Sequence, residues 1–259
     1  MSHLRHDLPP AVRARLNREH TPEAIRSRLN EGMKHSYLRD FIYGAIDGAV
    51  TTFAVVAGVV GAELAVGIVI ILGLGNLFAD GFSMAISNYL GTRAEHQVRR
   101  RTRRTEELHI KAIPEGEREE VRQLFAGKGF SGEQLDMVVE VITADPKRWV
   151  DTMITEEHGL ALEGVSPWRA GWTTFIAFVV IGFIPLMPFV ADLLAPGLLG
   201  NAVFMWSAVM TGLAFFIVGA IKAPFVGESW WRSGFETLLI GSVAAALAFG
   251  IGAALRGLA

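Results

Sequence analysis

A carboxylate and a thioether one helical turn apart, Asp80 and Met84, stand inside an apolar stretch and offer a hard and a soft ligand to a divalent metal. The surrounding run, NLFADGFSMAISNYLG from Asn76 to Gly91, has helical spacing. Asn76, Asp80, Ser83, Met84, Ser87 and Asn88 fall on or beside one stripe, and Leu77, Phe78, Phe82, Ala85 and Ile86 largely surround it. A polar stripe in a membrane helix is costly unless it meets protein or water. A second acid, Asp47, lies in DFIYGAIDGAVTTF, where Asp40, Gly44, Asp47 and Thr51 share a face. An acid at membrane depth can carry either a metal ion or a proton, which makes Asp47 and Asp80 the candidates for coupling the two.

Further ligand types follow outside the apolar blocks. Glu106 and His109 form an E-x-x-H pair on one helix face, and Glu117 with Glu120 repeats the spacing as E-x-x-E. Facing helices would gather these groups around one or several ions. The bland alternative is a solvated helix face, because such short patterns recur by chance. Met153, four residues from Trp149, reads equally as core or ligand, and His35 and His158 read as exposed. The chain has no cysteine, so disulfides and thiolate sites are excluded, and any metal falls to Asp, Glu, His, Met or backbone oxygen.

These groups need elements to hold them. Hydrophobic residues make up 51% of the 259, and they come in blocks, the pattern of a protein with several membrane spans. Spans are expected at about residues 41–62, from Leu64 onward through the polar stripe, and at about 170–190, 202–223 and 234–255, each long enough for roughly 30 Å of hydrocarbon. Pro185 and Pro188 should kink or end the third span. Gly44, Gly48, Gly73, Gly75 and Gly81 should permit close helix packing, which also suits a dimer interface. Lys222 and Glu236 read as anchors or salt-bridge partners at the inner ends of their spans.

Between spans two and three lies a helical insertion. Its first helix continues the second span to about Ile110, and a second runs over 115–126 and closes at Gly127 and Gly129. Ser131 with Gln134 makes a capping box for a third, and Asp145-Pro146 starts a fourth that ends at Gly159. Val121, Leu124 and Phe125, then Leu135, Val138 and Ile142, then Trp149, Val150 and Ile154 should face its core. Near the N-terminus, Thr21-Pro22-Glu23 starts a short surface helix that Gly32 can close. That segment has no apolar run, so no cleavable signal peptide is expected. The boundaries are therefore a cytoplasmic segment over 1–38, two spans over 39–94, the insertion over 95–167 and three spans over 168–259.

Charge orients the chain. Lys and Arg number 8 in residues 1–40, 13 in 91–169 and 2 in 222–233, with one more at Arg256. With five spans, this positive-inside pattern puts the N-terminus and the insertion in the cytoplasm. The run Arg93, Arg99, Arg100, Arg101, Arg103 and Arg104 should lie close to anionic headgroups.

The segments DFIYGAIDGAVTTFAVVAG and NLFADGFSMAISNYLGTRAEH resemble the first two spans of the vacuolar iron transporter family, and the likeness runs from about Arg39 through the rest of the chain. The resemblance implies an all-α, five-span homodimer, not an enzyme, that exports Fe(II) from the cytosol in exchange for protons, with Mn(II) as a second candidate ion. It also implies that Asp47 and Met84 are translocation-site ligands and that Glu106, Glu117, Glu120, Met153 and Glu157 bind metal on the cytoplasmic side. Three positions depart from the family pattern. His109 stands where a glutamate is common, Ile154 where a second methionine can follow the first, and Asn76 where an acid is usual, a role we expect Asp80 to take over. The partners implied are metal ions, protons, the lipid bilayer and a second copy, with no nucleic acid. An Ala/Arg-rich composition without a targeting segment leads us to expect a bacterial cytoplasmic (inner) membrane. The competing readings are a manganese-preferring exporter and a metal sensor or store that moves nothing, which would need no acid at membrane depth.

Overall fold

Each apolar block forms a long helix, because in hydrocarbon every backbone N–H and C=O has to find its partner within its own segment. The structure, a computed structural model, describes residues 9–30 and 37–258. It divides into two compact units, residues 1–36 and 37–259. The first holds α1 (Pro10–Glu19) and α2 (Pro22–Asn30). As expected, the Thr21 hydroxyl caps α2 by accepting from the Ala24 N–H at 3.3 Å. Gly32 and His35 lie outside the described residues.

The second unit begins with α3 (Leu38–Gly61) and α4 (Val66–Ala112). Three shorter helices follow, α5 (Pro114–Gly127), α6 (Gly132–Thr143) and α7 (Pro146–Thr152). The chain then passes through α8 (Pro167–Gly182), α9 (Met187–Leu194), α10 (Val203–Val226) and α11 (Trp230–Leu255). Among the described residues, five segments are long and apolar enough to cross a membrane: Leu38–Gly61, Val66–Ala112, Pro167–Leu194, Gly200–Val226 and Trp230–Leu255. No strand occurs among the described residues.

Helix α3 packs against α4, α8, α10 and α11. Glycine makes this possible: a Cβ on Gly44 would collide with the Thr174 carbonyl, and one on Gly48 with the Phe178 carbonyl. Gly73 packs on Leu186 and Gly81 on Phe178, so four of the five glycines expected at a close contact serve packing within the chain; only Gly75 faces open space. Phe53, Val56, Leu77, Phe178 and Leu186 fill the core these contacts enclose.

The third span breaks where proline requires it. Helix α8 ends at Gly182, a 3-10 turn carries Pro185, and α9 resumes at Met187. Ser207 of α10 donates to the Pro185 carbonyl at 2.6 Å, which satisfies one of the backbone groups at the break. At the α3–α4 turn, Glu63 pairs with Arg256 at 2.8 Å, and Lys222 of α10 pairs with Glu236 of α11 at 3.6 Å.

At 47 residues α4 is about 70 Å long, more than twice the hydrocarbon thickness. Helices α5 and α7 pack on its distal part, and α6 packs on both of them. Two expected caps turn out differently. Asp145 accepts from the Lys147 and Arg148 N–H groups, whereas Ser131 makes no side-chain cap bond, so the capping box does not close. The fourth helix also ends early as an α-helix, at Thr152, and continues as a π turn over Met153–Glu157. Its core contains Val121, Leu135, Ile142 and Trp149 as expected, together with Val139 and Met153.

The glycine contacts predict a contrast. Gly48→Ala should destabilise the protein by about 1–3 kcal/mol through overpacking against α8. Gly75→Ala, with open space around it, should leave stability unchanged or raise it slightly. Thermal unfolding in detergent reads both, and equal midpoints for the two variants would refute the packing assignment.

Candidate metal centre and membrane path

The helices around the distal part of α4 bring together acids that are far apart in sequence. Glu106 of α4 and Glu117 of α5 are 2% and 1% exposed, and each has one buried carboxylate oxygen, Oε2, with no hydrogen-bond partner. A buried anion with an unmet oxygen is expensive unless a cation meets it. The remaining oxygens contact imidazoles. His109 Nδ1 lies 3.2 Å from Glu117 Oε1, and His158 Nε2 lies 2.9 Å from Glu106 Oε1 and 3.6 Å from Glu157 Oε2. Two ligand triads result, Glu106–His109–Glu117 and Glu106–Glu157–His158, each with ligand atoms within 4.8 Å of one another and with Glu106 shared. Carboxylate oxygen with imidazole nitrogen suits a first-row divalent metal.

The π turn explains how Glu157 and His158 both reach Glu106. A π turn closes with an i to i+5 bond, here from the His158 N–H to the Met153 carbonyl at 3.2 Å, and the extra residue shifts the helical register of whatever follows. His158 is exposed, as the sequence suggests, yet it belongs to the cluster. Reading the segment as a plain α-helix hid it; the adjacent Glu157-His158 pair before a helix-ending glycine was the available signal. Glu120 is exposed at the edge, where its charge acts on Glu117 and Glu157. Met153 is fully buried among Val121, Leu135 and Trp149 and occupies a core position.

Burial and neighbouring acids set the protonation of this cluster. Desolvation, reinforced by Glu120 and Glu106, pushes the Glu117 carboxyl up to about 7, against a smaller opposing pull from His109. Desolvation likewise raises Glu157. The hydrogen bond to Glu106 raises His158 by favouring its imidazolium form.

Within the apolar bundle, Asp47 on α3 and Asp80 on α4 are half-buried and lie close enough to feel each other's charge. Met84 is half-buried and packs on the central core. Asn76, one turn from Asp80, has its amide nitrogen buried without a partner. Rotating that amide by half a turn puts its oxygen there, a ligand a cation accepts. Thr51 donates to the Asp47 backbone carbonyl at 2.8 Å, so its hydroxyl is engaged within the helix.

A third polar group was not singled out as a site in the sequence. Asp40, 2% exposed, accepts from the Asn88 amide at 2.9 Å, and the same amide reaches the Thr174 hydroxyl at 2.7 Å. This bridge ties α3, α4 and α8 together two turns from Asp47. Asp40 and Asn88 were on the right faces, but nothing local in the sequence identifies Thr174 as their shared partner.

The family model described as the VIT family matches residues 38–253, from the start of α3 to near the end of α11. Vacuolar iron transporter 1 of Arabidopsis thaliana is 37% identical over 215 residues, covering 82% of this chain and 83% of that protein. The vacuolar iron transporter of Toxoplasma gondii is 33% identical over 225 residues, covering 85% and 74% respectively. That of Plasmodium falciparum is 29% identical over 232 residues, covering 88% and 85%.

The raised acid predicts pH dependence. A proton on Glu117 must leave before a metal binds there, so affinity should fall as pH drops through about 7 and level off above it. One displaced proton makes this about tenfold weaker at pH 6 than at pH 8, and loss of a proton from His158 steepens it. Calorimetric titration of the full chain with Co(II) or Mn(II) checks this. Glu117→Gln should weaken binding and flatten the profile, and an unchanged profile would remove Glu117 from the site. The same linkage sets metal-free stability: a raised carboxyl stabilises the fold at low pH, and that contribution is lost as pH climbs through about 7.

Proposed function

The chain belongs to the VIT family, and from that premise we propose that it carries Fe(II) across a membrane, out of the cytosol, in exchange for protons. One observation carries the reading: a single helix, α4, bears a membrane-depth acid within charge range of an acid on α3 and, at its far end, two buried carboxylates with unmet oxygens. The distal cluster captures the ion, and Asp47, Asp80 and Met84, with Asn76 beside them, pass it through the bundle. A mixed set of carboxylate and thioether ligands holds iron reversibly, as release requires. The names of the relatives as iron transporters support the choice of ion. Mn(II) satisfies the same hard ligands, and competition between the two ions measures the preference. A sensor or store is disfavoured because it needs no acids at membrane depth.

The basic N-terminal segment and insertion support placing both on the cytosolic side. A homodimer follows from the polar stripe. Ser83 and Ser87 are exposed on one side of α4, and Asp47 and Asp80 are only half-covered. Hydrocarbon is a poor partner for such a face, whereas a second copy would enclose it and line a path between two chains.

Reconstitution tests the proposal. In sealed liposomes with a metal-sensitive dye inside, Fe(II) uptake should require an acidic lumen and be abolished by Asp47→Ala, while metal binding at the distal cluster stays intact. Uptake that persists in this variant would remove Asp47 from the path. Asp80→Gly should also lose uptake, and adding Asn76→Glu should restore part of it by returning an acid one turn earlier. No restoration would count against the exchange of roles between these positions.

A further inference from the structure

On the side of α4 turned away from Asp80 and Ser87, by roughly 150° at about 100° per residue, aromatic side chains form a feature the transport path does not use. Phe82, Ile86 and Tyr89 of α4 and Trp168, Trp172 and Phe175 of α8 line an open groove of about 300 Å³. The rings meet edge to face: Tyr89 with Trp168, Trp168 with Trp172 and Trp172 with Phe175, at centroid distances of 6.2, 5.8 and 5.8 Å. Gly171 forms the floor, where a Cβ would lie 3.0 Å from the Ala85 carbonyl oxygen and 3.2 Å from the Tyr89 Cβ.

The groove is lined by apolar and aromatic residues, and two arginines lie next to its Tyr89 and Trp168 residues along α4 and α8. Tyr89 and Trp168 stand at the end where amphipathic rings meet a membrane interface. One turn past Tyr89, on the same face of α4, is Arg93, and Arg169 directly follows Trp168; both are exposed. Neither arginine has an ion-pair or hydrogen-bond partner among the described residues. We propose that this groove seats an acyl chain of an anionic phospholipid whose phosphate is held by Arg93 and Arg169. A zwitterionic lipid would leave the two cations uncompensated. A second copy docked here about a two-fold axis would bring the same arginines toward each other, which like-charge repulsion opposes. The inference rests on the spans lying in a bilayer and not on the identity of the transported ion.

Tryptophan fluorescence tests it. Replacing Trp206, Trp230 and Trp231 with Phe leaves Trp168 and Trp172 as the tryptophans on membrane spans, with Trp149 buried in the insertion. In vesicles, a brominated anionic phospholipid diluted in unbrominated phosphatidylcholine should quench more than brominated phosphatidylcholine at equal abundance. R93Q/R169Q should remove the preference, by about fivefold for each arginine. Equal quenching by both lipids, or a preference unchanged in R93Q/R169Q, would overturn the proposal. Absence of quenching by either would overturn it too, since protein would then cover the groove. Metal uptake by the same vesicles confirms a folded background, so failure of the lipid site is separable from failure of transport.

Discussion

Buried negative charge without enough protein partners is the constraint on which the rest of the molecule depends. Glu106 and Glu117 each keep one oxygen paired with imidazole and one with nothing. Such an arrangement survives folding only if the surrounding core is firm enough to hold it, since desolvating a charged group costs several kcal/mol. Trp149, Val121 and Leu135 supply that core, and Arg103 to Asp151 anchors α7 to α4. Two things relieve the charge: a proton, or a metal ion that replaces it. A site of this kind could exchange one for the other, as the proposed function requires.

The long helix α4 separates charges as well as joining sites. At about 100° per residue, Asp80, Ser87, Thr102, Glu106 and His109 fall within one sector, and Arg93, Arg100 and Arg104 fall in the sector away from it. Arg99 and Arg101 border the sector of the acids, so this separation of charge along α4 is partial. Asp80 and Glu106 are about 26 residues apart, or roughly 40 Å along the axis, so no single coordination sphere spans both. Close glycine packing of α3 against α8 and the Asp40–Asn88–Thr174 bridge keep the α3–α4 geometry defined where the ion would enter the bundle.

What the sequence made legible was periodic or local. Membrane helices announce themselves by length and composition, and Pro114, Asp145-Pro146 and Gly127 mark helix ends by backbone chemistry. The E-x-x-H of Glu106 and His109 was readable because an α-helix brings those positions to one side, and Glu117 lies within reach of both. His158 was not readable from helical spacing, because the π turn over Met153–Glu157 changes the register on which such spacing relies, and only its adjacency to Glu157 hinted at a role. Met153 went to the core because Trp149 and Val139 leave an apolar space for it, and periodicity treats a buried thioether and a ligand alike. Thr174 becomes a partner of Asp40 only through tertiary contact, a distance of 134 residues along the chain.

The value near 7 at Glu117 bears on how such a site could release what it captures. An acid at its ordinary value would be charged throughout the physiological range, and a metal held by several such acids would leave slowly. With the carboxyl raised by burial and by Glu120 and Glu106, a proton occupies it for part of the time at neutral pH and would have to leave before a metal bound. The crowding that raises these acids would also moderate the cluster's grip on an ion. Removing a neighbouring acid would not simply subtract a ligand: it would lower the pKa of those that remain and shift the balance from proton toward metal. Ligand count and protonation therefore act against each other in this cluster, and under the proposed function their balance would set how readily an ion passes on along α4.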